Sequence, residues 1–308
     1  MPILTVAIPT FNRSDTLVKT LNAVELGLKK LPNWQDEIEI LISSNASTDN
    51  TAEVCQGYPD FKYFEQETNL GYDKNVLSLY QKASGDYILF ISDDDVFEPK
   101  GLLSLIHLIR EAPDTDVFFC SWYAVHNEQE KRNLLHSLIT TYAPVFTFDK
   151  VSDVTPFYFL SSFALRRKLI ISGSVMTDTY AVQMEIALLL LSKDSKCRVV
   201  DEFLIGRIEP ETELIGGNND SSRAWRIHLG FTRVRRKFQD KFSINISPVA
   251  ELSSALTAWG FFSNPQKPLG QRWGVLLDAL ISGLRYSKYT KFYQLPKFIR
   301  QKYFRVST

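Results

Sequence analysis

Asp93, Asp94 and Asp95 stand side by side directly after the apolar run DYILFIS, residues 86–92. Three adjacent carboxylates at a strand end repel one another and are costly unless a cation compensates them. Hard oxygen donors of this kind suit Mg²⁺ or Mn²⁺, which engage one or two carboxylates and take further oxygens from substrate phosphates. The plainer reading is an acidic turn ahead of the helix that Pro99 opens. A second polar group follows another apolar run. VAIPTFNRS places Thr10, Asn12 and Arg13 straight after Pro9. Such a loop can hold a nucleotide, or it is an ordinary strand-to-helix loop with Ser14 as N-cap. In ISSNASTDNT, residues 42–51, small polar residues leave a further strand and enter a helix that Asp49 can cap. In TNLGYDKN, residues 68–75, Gly71 fits a turn and Lys74 lies at a helix start. From there the Lys74 ammonium can reach a diphosphate as a point charge.

The elements that must position these groups alternate in type. Strands are expected over Ile3–Pro9, Glu37–Ser43, Phe61–Glu65, Asp86–Ser92 and Val117–Val125. Helices are expected from Ser14, over Asp49–Val54, over Tyr72–Ala83 and from Pro99. This alternation implies an α/β fold, a doubly wound and mostly parallel sheet with helices on both faces. Ligands of such sheets sit beyond the carboxyl ends of the strands, which is where the segments after Pro9, Ser43 and Ser92 fall. Residues 127–171 are less regular, with loops and short strands. Tyr180–Ser192 reads as a helix and Lys196–Ile208 as a strand. Helical patterns follow at Arg223–Phe238, Val249–Phe262 and Arg272–Arg285. The expected division is therefore 1–210 for the α/β domain and 211–308 for a helical C-terminal region.

Composition narrows the class. With 308 residues, 44% hydrophobic and 23% charged, the chain can bury a sizeable core, which excludes a disordered or collagen-like protein. Cys55, Cys120 and Cys197 are far apart, which argues against a zinc site and for a reducing compartment. The 35 basic and 35 acidic residues cancel, so no global field for nucleic acid exists. The opening MPILTVAIPT has no basic region or cleavage pattern, so no leader is expected. The longest apolar runs are too short to span a bilayer. After Asp278 no acid occurs, and RYSKYTKFYQLPKFIRQKYFRVST interleaves basic and aromatic residues. That tail suits an anionic membrane surface, or packs its aromatics onto the body.

Together, VAIPTFNRSDTL, ILISSNASTDNT, ETNLGYDKN and ASGDYILFISDDD resemble the nucleotide-sugar-binding half of family 2 glycosyltransferases, which have the GT-A fold. The likeness is close over residues 1–125 and looser to 210. SNASTDNT, FLSSFALRRKL (Phe159–Leu169) and GGNNDS (Gly216–Ser221) are most similar to the abequosyltransferase-like branch of bacterial O-antigen assembly. The resemblance implies roles. Pro9, Thr10, Phe11 and Asn12 match the loop that holds the nucleoside, with Arg13 following. Asn45 matches the base-contacting position, and Ser44 stands where many members have Asp. Aligning on Pro99 places Ser92 at the first Asp of the family's metal motif and Asp94 at its metal-binding Asp. Asp93 then faces the ribose or sugar, and Asp95, the neighbouring carboxylate, is expected to join Asp94 as a metal ligand.

The implied activity is transfer of a sugar from a nucleotide-diphosphate donor to a saccharide or lipid-linked acceptor. A divalent ion, Mn²⁺ or Mg²⁺, would support the leaving diphosphate. A general base would serve the acceptor hydroxyl. Glu185, opening the apolar run MEIALLLL, and Asp178, in MTDTY, are the two candidates; the plain alternatives are a solvated helix residue and an N-cap. The basic group Arg233, Arg235, Arg236 and Lys237 reads as a solvated helix face. The expected location is cytoplasmic, at the inner face of the cell membrane. Two rivals remain open at this point. One is a metal-dependent nucleotidyltransferase, although VAIPTFNRS lacks the glycine-rich basic loop such enzymes use. The other is a non-catalytic nucleotide-sugar-binding assembly subunit, which the Ser44 and Ser92 departures allow.

Overall fold

A computed structural model describes residues 1–125, 131–132, 144–150, 157–167, 175–177, 179–208, 227, 230–231 and 233–242. By compactness the chain divides into Met1–Asn219 with Arg226–Asn245, and Asp220–Trp225 with Ile246–Thr308. All described residues lie in the first unit. Asp178, the GGNNDS stretch, the expected helices at 249–262 and 272–285, and the basic-aromatic tail lie outside them.

The strands are β1 (Leu4–Thr10), β2 (Ile38–Ser44), β3 (Lys62–Glu65), β4 (Tyr87–Phe90), β5 (Val96–Phe97), β6 (Val117–Val125), β7 (Lys131–Arg132), β8 (Val145–Thr147), β9 (Phe163–Arg166) and β10 (Lys196–Ile208). The helices are α1 (Ser14–Leu28), α2 (Thr51–Gln56), α3 (Tyr72–Lys82), α4 (Pro99–Glu111), α5 (Val182–Leu190) and α6 (Gln239–Phe242). The sheet runs β3-β2-β1-β4-β9-β6-β10-β5, with β7 beside β6 and β8 beside β10. Strands β3, β2, β1 and β4 are parallel, as are β6 and β10. Strand β9 is inserted antiparallel to both β4 and β6.

β1 and β2 are buried along all seven of their residues. Continuous burial is what a parallel strand covered on both faces requires. Leu4, Val6 and Ile8 share one core with Leu17, Leu21, Val24 and Leu28 of α1 and Leu102, Leu105, Ile106 and Ile109 of α4. These helical positions repeat at the three- and four-residue spacing of an apolar stripe. Truncating any one of them to Ala costs about 2–5 kcal/mol. Helix α3 packs against β1 and β2 with Val76, Leu79 and Tyr80 buried. The order β3-β2-β1-β4 reverses direction between β1 and β4. A crevice therefore opens beyond Thr10 and Phe90, the carboxyl ends of that pair.

One expectation is corrected. Ser14 does not cap α1: the Ser14 N–H donates to Asp49 Oδ2 at 2.9 Å, because the parallel β1–β2 pairing brings the Asp49 loop alongside. The segment Phe159–Leu169 carries a sheet strand, β9, four residues long and flanked by two others. All three cysteines are buried and unbridged. Among the described residues no helix is long and apolar enough to cross a membrane.

At the opposite end of the sheet, Glu39 is 5% exposed and ties four segments together. It accepts hydrogen bonds from Thr5 Oγ1 at 2.7 Å, Lys62 Nζ at 2.6 Å, and Ser84 N and Oγ at 2.8 Å each. Burial pushes this carboxyl upward, but the bonds from Lys62, Thr5 and Ser84 outweigh it and hold the group below its ordinary value. A depressed carboxylate contributes stability above its unfolded pKa, which is lost as pH falls through the folded one. Glu39→Gln is therefore expected to destabilise by about 1–3 kcal/mol at neutral pH. In urea titrations the gap to wild type should close below about pH 4.

Candidate functional site

The end of β1 and β4 brings Thr10, Arg13, Asp93 and Asp94 together. β4 delivers Asp93 into the protein, where it is 5% exposed, and turns Asp94 outward, with its side chain 46% exposed. From the β1 loop, Thr10 Oγ1 donates to Asp93 Oδ2 at 2.7 Å. Arg13 Nη1 donates to Asp93 Oδ1 at 3.0 Å and to Asp94 Oδ2 at 2.5 Å. Burial is the largest influence on Asp93, and with the Asp94 charge it pushes the carboxyl up to about 6 against the pull of Arg13 and Thr10. Ser92 Oγ donates to Asp94 Oδ1.

Asp95 faces the other way. It is 5% exposed, and its Oδ2 accepts from Ser161 Oγ at 2.6 Å. Its carbonyl accepts from Thr20 Oγ1 of α1 at 3.1 Å, and Ser161 Oγ also receives the Ser92 N–H at 3.0 Å. Asp95 thus staples the acidic turn to α1 and to the segment before β9. Sequence reasoning did not find Ser161 or Thr20. The signal for Ser161 was a pair of serines, Ser161 and Ser162, inside an otherwise apolar and fully buried stretch.

The remaining loops brace one another. Asn12 adopts a left-handed φ of 51°, which asparagine tolerates. Its N–H donates to Ser47 Oγ at 3.1 Å and its side-chain oxygen accepts the Thr48 N–H at 2.7 Å. Asn45 is buried: its Nδ2 donates to Asn69 Oδ1 at 2.9 Å and its Oδ1 accepts the Leu70 N–H at 2.8 Å. Ser44 is buried and its Oγ accepts the Ser47 N–H at 3.2 Å. Pro9 lies buried in β1, paired with Ser43. Phe11 is 41% exposed on the crevice loop. Lys74 is exposed on the first turn of α3, beside a shallow pocket that it lines with Leu70, Gly71, Tyr72 and Tyr180.

Asp73, which the sequence did not single out, is buried and accepts from Thr179 N, from Thr179 Oγ1 at 3.1 Å and from Tyr180 N at 3.1 Å. It pins the turn ahead of α5, where Tyr180 holds a left-handed φ of 53°.

Glu185 is not solvated. It is fully buried in α5; Oε1 accepts from Lys237 Nζ at 2.5 Å and Oε2 from Met176 N at 3.0 Å. Burial pushes its pKa up, with Lys237 opposing. The basic group is not wholly a solvated face. Arg235 is 8% exposed and donates to Tyr158 Oη at 2.7 Å, and Lys241 Nζ caps α5 at Leu188 O, 2.9 Å away.

The carboxylates fit a hard divalent ion. Asp94 offers a half-exposed carboxylate next to Asp93, and the pair already holds one cation, the Arg13 guanidinium. Among the described residues no three His, Cys, Asp or Glu side chains group as metal ligands. An ion here would complete its shell from substrate phosphates.

A family model for glycosyl transferase family 2 matches residues 5–172, more than half of the chain and all four loops. The chain belongs to that family. It is 31% identical over 123 residues to abequosyltransferase RfbV of Salmonella typhimurium, covering 38% of this chain and 35% of that protein. It is 31% identical over 116 residues to the GalNAc(5)-diNAcBac-PP-undecaprenol beta-1,3-glucosyltransferase of Campylobacter jejuni, covering 36% of each. The matched stretch is about a third of the length of these relatives. Crystal structures place the fold among GT-A enzymes. S. aureus TarS 1-349 superposes with a TM-score of 0.56 at 18% identity, over 97% of this chain and 78% of that one. Mannosyltransferase PcManGT from Pyrobaculum calidifontis, in complex with GDP-Man and Mn²⁺, gives 0.57 at 15% identity, over 97% and 85%.

The Glu185–Lys237 pair makes a stability prediction for this family member. Lys237→Met strands a buried carboxylate, at an expected cost of about 3 kcal/mol in urea unfolding at neutral pH, the low end because Lys237 is partly exposed. A raised carboxyl penalises folding above its folded pKa and not below its unfolded one, so this loss should shrink in mild acid.

Proposed function

We propose that the chain transfers a sugar from a nucleoside-diphosphate sugar to a saccharide acceptor carried on a lipid, in synthesis of a bacterial surface polysaccharide. The observation that carries this reading is the crevice at the β1/β4 reversal, where Arg13 bridges Asp93 and Asp94 beside Thr10. It joins acidic and basic groups at the place where such sheets bind nucleotides. The activities named for the relatives, glycosyl transfer in each case and a diphospho-undecaprenol-linked substrate in one, support the same class.

In this reading Phe11, Asn12 and Asn45 shape the nucleoside end, with Pro9 and Ser44 buried behind them. Thr10 and Asp93 face the ribose or sugar, and Arg13 and Lys74 face the diphosphate. Asp94 would hold a divalent ion, which stabilises charge on the departing nucleoside diphosphate. Asp95, directed to Ser161, positions the turn from behind. Glu185 is committed to Lys237 and Met176, so the acceptor proton is assigned to Asp178. Residues 1–210 are read as the catalytic part, and Arg226–Asn245, where Lys237 meets Glu185, share its compact unit. The basic-aromatic end of the chain is read as drawing the protein to the inner face of the membrane, at about 1 kcal/mol per basic residue near the headgroups.

Thermal shifts with UDP, CDP, GDP and dTDP, each with and without Mn²⁺, test the donor site. One nucleotide at 100 times its dissociation constant should add about 2.7 kcal/mol. Release of that nucleoside diphosphate from its sugar conjugates then tests the chemistry. Asp94→Asn and Asp178→Asn should each lower turnover by about 10²-fold or more, while Glu185→Gln should lower it far less. No shift with any diphosphate in folded protein would sink the donor reading.

A further inference from the structure

We propose that Arg13 is the protein's own counter-cation for Asp93 and Asp94, exchanged for a divalent ion, so that this side chain sets how tightly the ion is held. The inference deepens the donor-site reading and rests on it for the identity of the crevice.

The geometry carries it. A single nitrogen, Nη1, meets both carboxylates, Asp93 Oδ1 at 3.0 Å and Asp94 Oδ2 at 2.5 Å. The guanidinium therefore acts as a point charge where the two groups converge, and not as the two-pronged fork that gives arginine its strongest carboxylate pairs. That point of convergence is where an added cation would be most favoured. The two carboxylates differ in how they can release it. Asp93 is 5% exposed and keeps a second partner, Thr10 Oγ1 at 2.7 Å. Asp94 has its side chain 46% exposed and can exchange partners with little desolvation. Arg13 is itself one-third exposed, on a loop ahead of α1 whose backbone is fixed independently by Asn12 and Asp49. Its long side chain can leave the carboxylates without unfolding that loop. Two cations cannot share the same pair of oxygens without repelling each other, so ion and guanidinium compete.

Mn²⁺ titration of the full chain without nucleotide, followed by electron paramagnetic resonance of the free ion, tests the competition. Arg13→Gln and Arg13→Met should each bind Mn²⁺ about thirtyfold more tightly than wild type, the water-screened value for removing one unit charge about 4 Å from a divalent ion. Two variants are used so that misfolding of one does not decide the result. Adding Asp94→Asn to either should abolish the gain. Arg110→Gln, which removes the exposed partner of Glu37, should bind as wild type does. Equal, weaker or undetectable binding by the Arg13 variants overturns the proposal, as does a gain that survives Asp94→Asn. The donor reading fails separately: it depends on nucleoside diphosphate binding, which is measured without metal as well as with it.

Discussion

A carboxylate buried at the end of an apolar strand must be compensated. Asp93 follows the buried β4 and is 5% exposed, and even with Arg13 and Thr10 on its oxygens its pKa stands at about 6. The compensating groups have to arrive from a different strand, so the crevice is only as good as the placement of the β1 loop. That placement is built in layers. The parallel β1–β2 register sets Thr10 opposite Ser44. Asp49 then takes the Ser14 N–H, and Asn12 takes the Thr48 N–H. Asp95 ties the acidic turn itself to α1 through Thr20. Each bond is worth about 1 kcal/mol alone. Their common effect is to fix two loops from different strands so that opposite charges meet.

How much of this was legible depends on the range of the interaction. β1, β2 and β4 announce themselves as apolar runs ended by polar loops, and β6 and β10 were readable over their full lengths. The acidic turn was readable because three carboxylates at a strand end are chemically unusual. What escaped depends on distant partners. β9 is four residues long and is a strand only because β4 and β6 flank it. Arg235 carries no local mark of burial; its partner Tyr158 lies 77 positions away. Glu185 did carry one. Its helix, VQMEIALLL, is apolar almost all round, and a charged residue there has no polar face to occupy. The run fitted a buried, paired carboxylate as well as it fitted a base.

The loop residues show why chemistry-bearing positions and chemistry-performing groups are different things. Asn45 spends its amide nitrogen on Asn69 and its oxygen on Leu70, which braces two loops before any ligand arrives. Ser44 and Pro9 are buried. A polar side chain already satisfied inside the protein gains little by turning to a ligand, since each new bond replaces an old one. Groups that keep open surface can act on one: the Phe11 ring, the outer part of Arg13, the Asp94 carboxylate and the Lys74 ammonium. One is aromatic, two are cationic and one is anionic. An aromatic face is tolerant of which base it meets, and point charges are tolerant of which diphosphate. In the proposed donor reading, this frame would meet the general parts of a nucleotide sugar. In that reading, discrimination among sugars would fall to the stretch between β6 and α5, where the pattern of residue types said least.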